Sequence, residues 1–268
     1  MKVRMKHLGK KNLNSFGFRN QRSGVHSART MMLEELRLLL SFVDDPQAEK
    51  SVYVHAIVEE NCLSKRSGNT RSLTARHLAN LYGLDPSITL FHALRFFWKR
   101  DPEGHPLLAL LCAYARDPIL RSSAAFIQNH SPGQIVSRQV LEKFIDSQEP
   151  GRFSKATLKS TAQNVNSTWT QSGHLKGRAQ KVRTQAQATP GSVSYALLLG
   201  YLNGFRGESL FKTEYAGLLD CSFYPLIELA TEASQKGWIV FKRLEDVIEV
   251  LFPNVLSPKE MEWVREQN

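Results

Sequence analysis

The sequence predicts a mainly α protein: a helical N-terminal domain followed by a winged-helix-like C-terminal region with short β-hairpins. Three observations predict it. Apolar residues recur at three- and four-residue spacing almost without a break over residues 28–148. Residues 154–183, SKATLKSTAQNVNSTWTQSGHLKGRAQKVR, read as a helix, a glycine stop, a short strand and a basic loop. A five-residue echo of that stop, Gln171-Ser-Gly-His-Leu against Gln235-Lys-Gly-Trp-Ile, precedes a second pair of apolar runs.

In order along the chain, residues 1–27 are polar and basic with isolated Phe16 and Phe18, and read as a flexible basic arm. Such an arm is either a solvated tail or a contact for nucleic acid or a partner. Residues 28–149 form the all-helical domain. Its first helix, 28–43, carries Met32, Leu36, Leu39 and Leu40 on one face, and its second spans 48–63. A loop at 64–69 leads to Thr70, a candidate N-cap for a helix that breaks at Gly83. Residues 86–99 present Ile88, Phe91, Leu94, Phe97 and Trp98. Residues 107–116 are apolar nearly all round, which predicts a central position. Asp117-Pro118 joins an N-cap to proline at the first helical position, and a turn at 131–133 precedes a helix over 137–148.

Glu149-Pro150-Gly151 predicts the domain boundary, so 150–268 is the winged-helix-like DNA-binding and interaction region. Ser154 is the N-cap of the next helix. Leu158, Ala162, Val165 and Trp169 face inward, and Lys155, Lys159, Gln163 and Asn166 largely away. Gly173 ends it. Residues 184–192 read as a polar linker or the tip of a long wing, and 193–202 as an apolar helix. Residues 208–219 form a short helix or a pair of turns, and Ser222 caps a helix through Lys236. Residues 238–242 and 247–252 then flank a hairpin turn. That second wing contains Glu245, Asp246 and Glu249, which suits contact with protein better than with DNA.

The net charge of +10 is unevenly placed. Residues 1–30 carry eight cations and no acid, and so do residues 150–207, which leaves the rest of the chain at −6. A third acid-free stretch, 61–84, contains Lys65, Arg66, Arg71 and Arg76. Segregated cations suit a polyanionic partner. The three cysteines, Cys62, Cys112 and Cys221, are far apart, which fits reduced thiols in a cytoplasm. No apolar run reaches the length of a bilayer span, and the basic N-terminus lacks the apolar run of a secretory signal.

No catalytic constellation is visible. Gly200, Gly204 and Gly207 follow an apolar helix instead of joining a strand to a helix, so they read as turn punctuation rather than a phosphate loop. His55, His77 and His92 have no His or Cys at metal spacing and read as ordinary helix residues; Glu59-Glu60 reads as a solvated face. The expectation is no enzyme activity, no metal and no cofactor.

The nucleic-acid reading assigns Lys155, Lys159 and Gln163, with Asn164, to a helix surface that enters a groove. Cations supply phosphate contacts, and Gln or Asn can pair with adenine in the major groove. Lys176, Arg178, Lys181 and Arg183 follow the backbone from the wing, and Lys65, Arg66, Arg71 and Arg76 form a second presenting face. The alternative is a solvated basic helix followed by a basic loop. DNA is favoured over RNA because no aromatic stacking platform accompanies the helix.

Several segments resemble the BrxA family of bacterial BREX phage-defence systems. They are Val58-Glu-Glu-Asn-Cys-Leu running into the Arg-rich 64–76, the apolar 107–116 followed by 119–127, and 157–175 closing on Gly-His-Leu. Together they cover roughly residues 30–180. The resemblance implies an all-helical, two-part, cytoplasmic protein that binds double-stranded DNA without catalysis and works with other proteins of a defence complex. The long basic N-terminus and the long segment 191–252 depart from that pattern. Two other functions compete: a protein–protein adaptor in a multi-subunit complex, and a dimeric transcriptional repressor.

Overall fold

The computed structural model describes residues 10–20 and 23–266. Helix α1 (Lys10–Phe16) and a 3-10 turn (Val25–Ser27) precede α2 (Leu33–Phe42), α3 (Lys50–Val58), α4 (Gly68–Tyr82) and α5 (Thr89–Arg100). Next come α6 (His105–Arg116), α7 (Pro118–Gln128), β1 (Ile135–Val136), α8 (Arg138–Gln148) and α9 (Lys155–Gln171). Strands β2 (Leu175–Lys176) and β3 (Lys181–Arg183) lead to α10 (Pro190–Leu202), a 3-10 turn (Gly207–Lys212), α11 (Glu214–Gly217) and α12 (Phe223–Gln235). The chain closes with β4 (Val240–Leu244), β5 (Val247–Leu251) and α13 (Pro258–Glu266). It is mainly α with short antiparallel hairpins, as the periodicity predicts.

Helices apolar on every side must lie in the middle. Every residue of α6 from Leu107 to Arg116 is buried, and so is every residue of α10 from Gly191 to Leu202. Helix α10 packs against α5, α6 and α12, and one continuous apolar core runs from Phe16 to Val264. The core is therefore shared across the 149–151 turn that composition marked as a domain boundary. That turn joins α8 to α9, with Gly151 at φ +74° and the Arg152 amide donating to the Glu149 carbonyl. Helices α7, α8 and α9 pack on one another, and β1, from before the turn, pairs with β3, from after it. Proline and glycine there mark a tight turn within a packed unit.

The N-terminal segment also departs from the expected flexible arm. Phe16 and Phe18 are buried, Phe16 edge-on to Trp263 and Phe18 beside Tyr215. The Arg19 amide donates to the Ala115 carbonyl, and Arg121 donates to the Arg19 carbonyl. Two aromatic rings outweigh a polar surrounding sequence once a matching apolar surface exists. Residues 1–9 and 21–22 of the predicted arm lie outside the described residues.

Local signals placed most helix ends. Asp117 caps α7 by accepting from the Ile119 and Leu120 amides, and Ser154 caps α9 by accepting from Thr157. Helix α4 is capped by Ser67, which accepts from the Thr70 amide, so Thr70 lies inside the helix instead of starting it. Residues 184–189 are an extended return ending in a Thr189–Ser192 capping box that starts α10.

The five-residue echo has a physical cause. His174 donates its amide to Trp169 and Gly173 to Thr170; Trp238 donates to Ala233 and Gly237 to Ser234. Both are Schellman endings that need a left-handed residue, supplied by Gly173 at φ +85° and Gly237 at φ +70°. After that the units differ. The first has a three-stranded antiparallel sheet of order β1-β3-β2, the second only β4 paired with β5.

Candidate nucleic-acid interface

Helix α9 packs against α7, α8 and the 3-10 turn at Val25–Ser27. Ala162, Val165 and Trp169 are fully buried, and the Trp169 indole donates to Ser123 of α7. Thr168 accepts from the Met31 amide and hydrogen-bonds His26, while Asn164 donates to the His26 carbonyl. His26 in turn lies 3.0 Å from the Asp117 carboxylate. Burial pushes the Asp117 carboxyl up, but the nearby imidazole and the amide donors outweigh it and hold the group below the usual carboxylate range.

The order α7, β1, α8, α9, β2, β3, with α9 followed by a β2–β3 hairpin, is that of a winged helix. Ile135 pairs with Val182 and Leu175 with Arg183. The hairpin turn requires Gly177 at φ +99°, where a Cβ would collide with the Gln180 carbonyl. Between α9, the start of α8 and the wing lies an open groove of about 790 Å³, lined in part by Gln139, Gln163, Asn166, Ser167, Arg178 and Lys181. None of its described lining residues is acidic.

The predicted contact residues divide by what they meet. Lys155, Lys159 and Gln163 are exposed on α9, and Lys176 and Arg178 are exposed on the wing. Lys181 is half-buried, donates to the Gly177 carbonyl at 2.6 Å, and is lowered below the ordinary lysine value by burial. Asn166 is 4 % exposed, and its Oδ1 has no hydrogen-bond partner among the described residues, so it sits under the groove and not on its rim. Ser167 and Gln139, also in the groove, carry no charge or motif that would single them out in the sequence.

Arg183 is a correction. The pairing places it opposite buried Leu175 on the covered face of the sheet, where it is 3 % exposed. Its guanidinium meets Asp220 through two hydrogen bonds, at 2.7 and 2.6 Å, and also donates to the His174 and Thr184 carbonyls. Asp220 further accepts from the Ala186 amide. Arg183 therefore holds the wing to the loop before α12 and leaves the set of contact candidates.

His174 belongs to this cluster, with Ser172 on Nδ1 and the Leu218 carbonyl on Nε2, each at 2.9 Å. Burial is the main cause of its fall to about 4 from an ordinary 6.5; Arg183 lowers it further and Asp220 opposes both. An unfolded histidine takes up its proton near 6.5, whereas the folded one refuses it down to about 4. Stability linked to His174 is thus complete above 6.5, declines as pH falls between those values, and levels off below. Urea midpoints measured from pH 7 to pH 4 are expected to fall less steeply in His174→Gln than in the parent; parallel curves reject the assignment.

The α4 group is not brought into the groove. Lys65 is half-buried and ion-paired with Glu35 at 3.0 Å, a partner from α2 outside the acid-free stretch. Arg66 and Arg76 are exposed, and Arg71 is half-buried with its Nε unpartnered among the described residues. The 3-10 turn at Val25–Ser27 packs on both α4 and α9 and lies between them.

Among the described residues no group of three His, Cys, Asp or Glu side chains could hold a metal ion, and no helix is long and apolar enough to cross a membrane. Cys62, Cys112 and Cys221 form no disulfide. No protein-family model matches the chain, and no curated protein matches it.

Proposed function

We propose that this protein is a non-enzymatic, double-stranded DNA-binding component of a multi-protein complex, with α9 entering the duplex groove and the β2–β3 wing on the backbone. One observation carries the reading: Gln163 of the helix and Arg178 of the wing are exposed on a groove whose described lining contains no acid, and Lys155, Lys159 and Lys176 are exposed on the same helix and wing. In this reading the cations supply phosphate contacts and Gln163 reads the bases. The resemblance to the BrxA family favours a cytoplasmic phage-defence complex as the setting.

A duplex-DNA titration across salt concentrations tests this. Binding at low salt is expected, with log K falling linearly against log salt. No binding at low salt overturns the proposal and leaves the adaptor reading. The adaptor reading has its own observation: at the tip of the second hairpin Leu244 and Val247 are 77 % and 71 % exposed beside Glu245 and Asp246. Large apolar side chains held at an acidic tip suit a protein partner.

A further inference from the structure

A second cluster of cations lies away from the groove, in a cavity of about 220 Å³ between residues 23–28, α4 and the end of α6. Its charged and polar walls include Arg19, Arg76, His77, Asn80, Arg116 and Asp117. The helical repeat sets Arg76, His77 and Asn80 on one side of α4 within about one turn. Arg116, the last residue of α6, is 4 % exposed. It donates to the carbonyls of Gly17, Ala79 and Asn80, while Arg19 donates to the Asn80 side chain at 2.9 Å.

The charges in this cavity do not balance. Among the described residues Arg116 meets carbonyl oxygens and no carboxylate, and Arg76 makes no ion pair. Asp117 is the one acidic residue among the described walls, and its oxygens are already engaged by His26 and by the Ile119 and Leu120 amides. Burial lowers Arg116 to about 10, and the charge of Arg19 adds to that fall. Burial, then Arg29 and Arg76, lowers His77, whose ring can give an N–H to an anion in either protonation state. Buried cations are ordinarily paired, because an unpaired one costs several kcal/mol. Guanidinium groups match the oxygen geometry of phosphate, and the cavity holds roughly seven waters' volume.

We infer that this cavity is a phosphate-binding site, in which Arg19, Arg76 and Arg116 face the oxyanion and His77 donates to it. The group is either a small phosphorylated molecule, inorganic phosphate included, or the terminal phosphate of a DNA strand. The site is separate from the α9–wing groove and stands whether or not that groove binds DNA.

The test is calorimetric titration of the full chain with inorganic phosphate against chloride at equal ionic strength. Arg76→Gln is the main variant, since Arg76 is exposed and its loss leaves the core intact, and His77→Gln is the second. Lys242→Gln, a surface cation on the β4–β5 hairpin, controls for general charge. Saturable phosphate binding that weakens at least tenfold in Arg76→Gln, and not in Lys242→Gln, is expected. Tighter binding of adenosine 5′-monophosphate than of phosphate assigns a small ligand. Tighter binding of a 5′-phosphorylated duplex than of its unphosphorylated form assigns a strand end. No saturable phosphate binding, or equal weakening in Arg76→Gln and Lys242→Gln, overturns the site.

Discussion

Asp220→Ala is expected to lower the unfolding free energy by about 3 kcal/mol, the lower end of the range for breaking a buried ion pair. The cost comes from the partner left behind. Arg183 is almost wholly buried, and without Asp220 its guanidinium keeps only the His174 and Thr184 carbonyls. The Ala186 amide loses its acceptor as well. Asp220 retains 18 % side-chain exposure, so water can reach part of the gap, which argues for the lower end. Urea unfolding reads the effect as a shifted midpoint with an unchanged slope. Arg183→Met combined with Asp220→Ala is expected to recover part of the loss, because no charge is then stranded. A loss under about 1 kcal/mol in Asp220→Ala would mean that the pair is solvated and that Arg183 is no buttress.

The same pair makes the wing acid-sensitive. Burial raises the Asp220 carboxyl, but the Arg183 hydrogen bonds, the Ala186 amide and His174 more than offset it, so the group titrates below the ordinary carboxylate value. Its contribution is therefore complete above that ordinary value and lost as pH falls through the lowered one, a window below that of His174.

Changing Lys155, Lys159, Lys176 and Arg178 together to Ala is expected to leave stability within about 0.5 kcal/mol of the parent, since all four are exposed. DNA binding is expected to change much more: the slope of log K against log salt falls by about 0.9 for each phosphate contact removed, roughly 3.6 for four. Gln163→Ala separates reading from holding. It is expected to keep the salt slope and to lose about 1–3 kcal/mol of discrimination at one base pair. Parent-like salt dependence in the fourfold variant would remove the groove as the DNA site. Arg183 is left out of this set deliberately, because its loss would confound binding with stability.

Residue types and spacing made most of the helices legible, together with the apolar centre at α6, the caps at Asp117 and Ser154, and both glycine stops. The start of α2 was not: Met32 takes a left-handed conformation at φ +56°, and the residues before it run along α9 instead of extending the helix. Strand β1 was missed because two residues between helices carry too little alternation to register, and only β3 gives them a partner. Phe16 and Phe18 looked isolated because their partners, Trp263 and Tyr215, lie near the other end of the chain.

The candidate site shows the same division. Lys155, Lys159 and Gln163 face outward because the helical repeat that buries Ala162, Val165 and Trp169 turns them away, and that repeat is written in consecutive residues. Whether a cation is free to meet DNA is not local. Arg183 is neutralised by Asp220, 37 residues on, and Lys65 by Glu35, 30 residues back, both beyond the acid-free stretches that made them candidates. The sequence alone determined the helices, their stops and the outward basic stripe, because hydrogen bonding and periodicity act within a few residues. Only the tertiary structure decided which charges are spent inside the fold and which face solvent, because an ion pair depends on distance in space, whatever the separation along the chain.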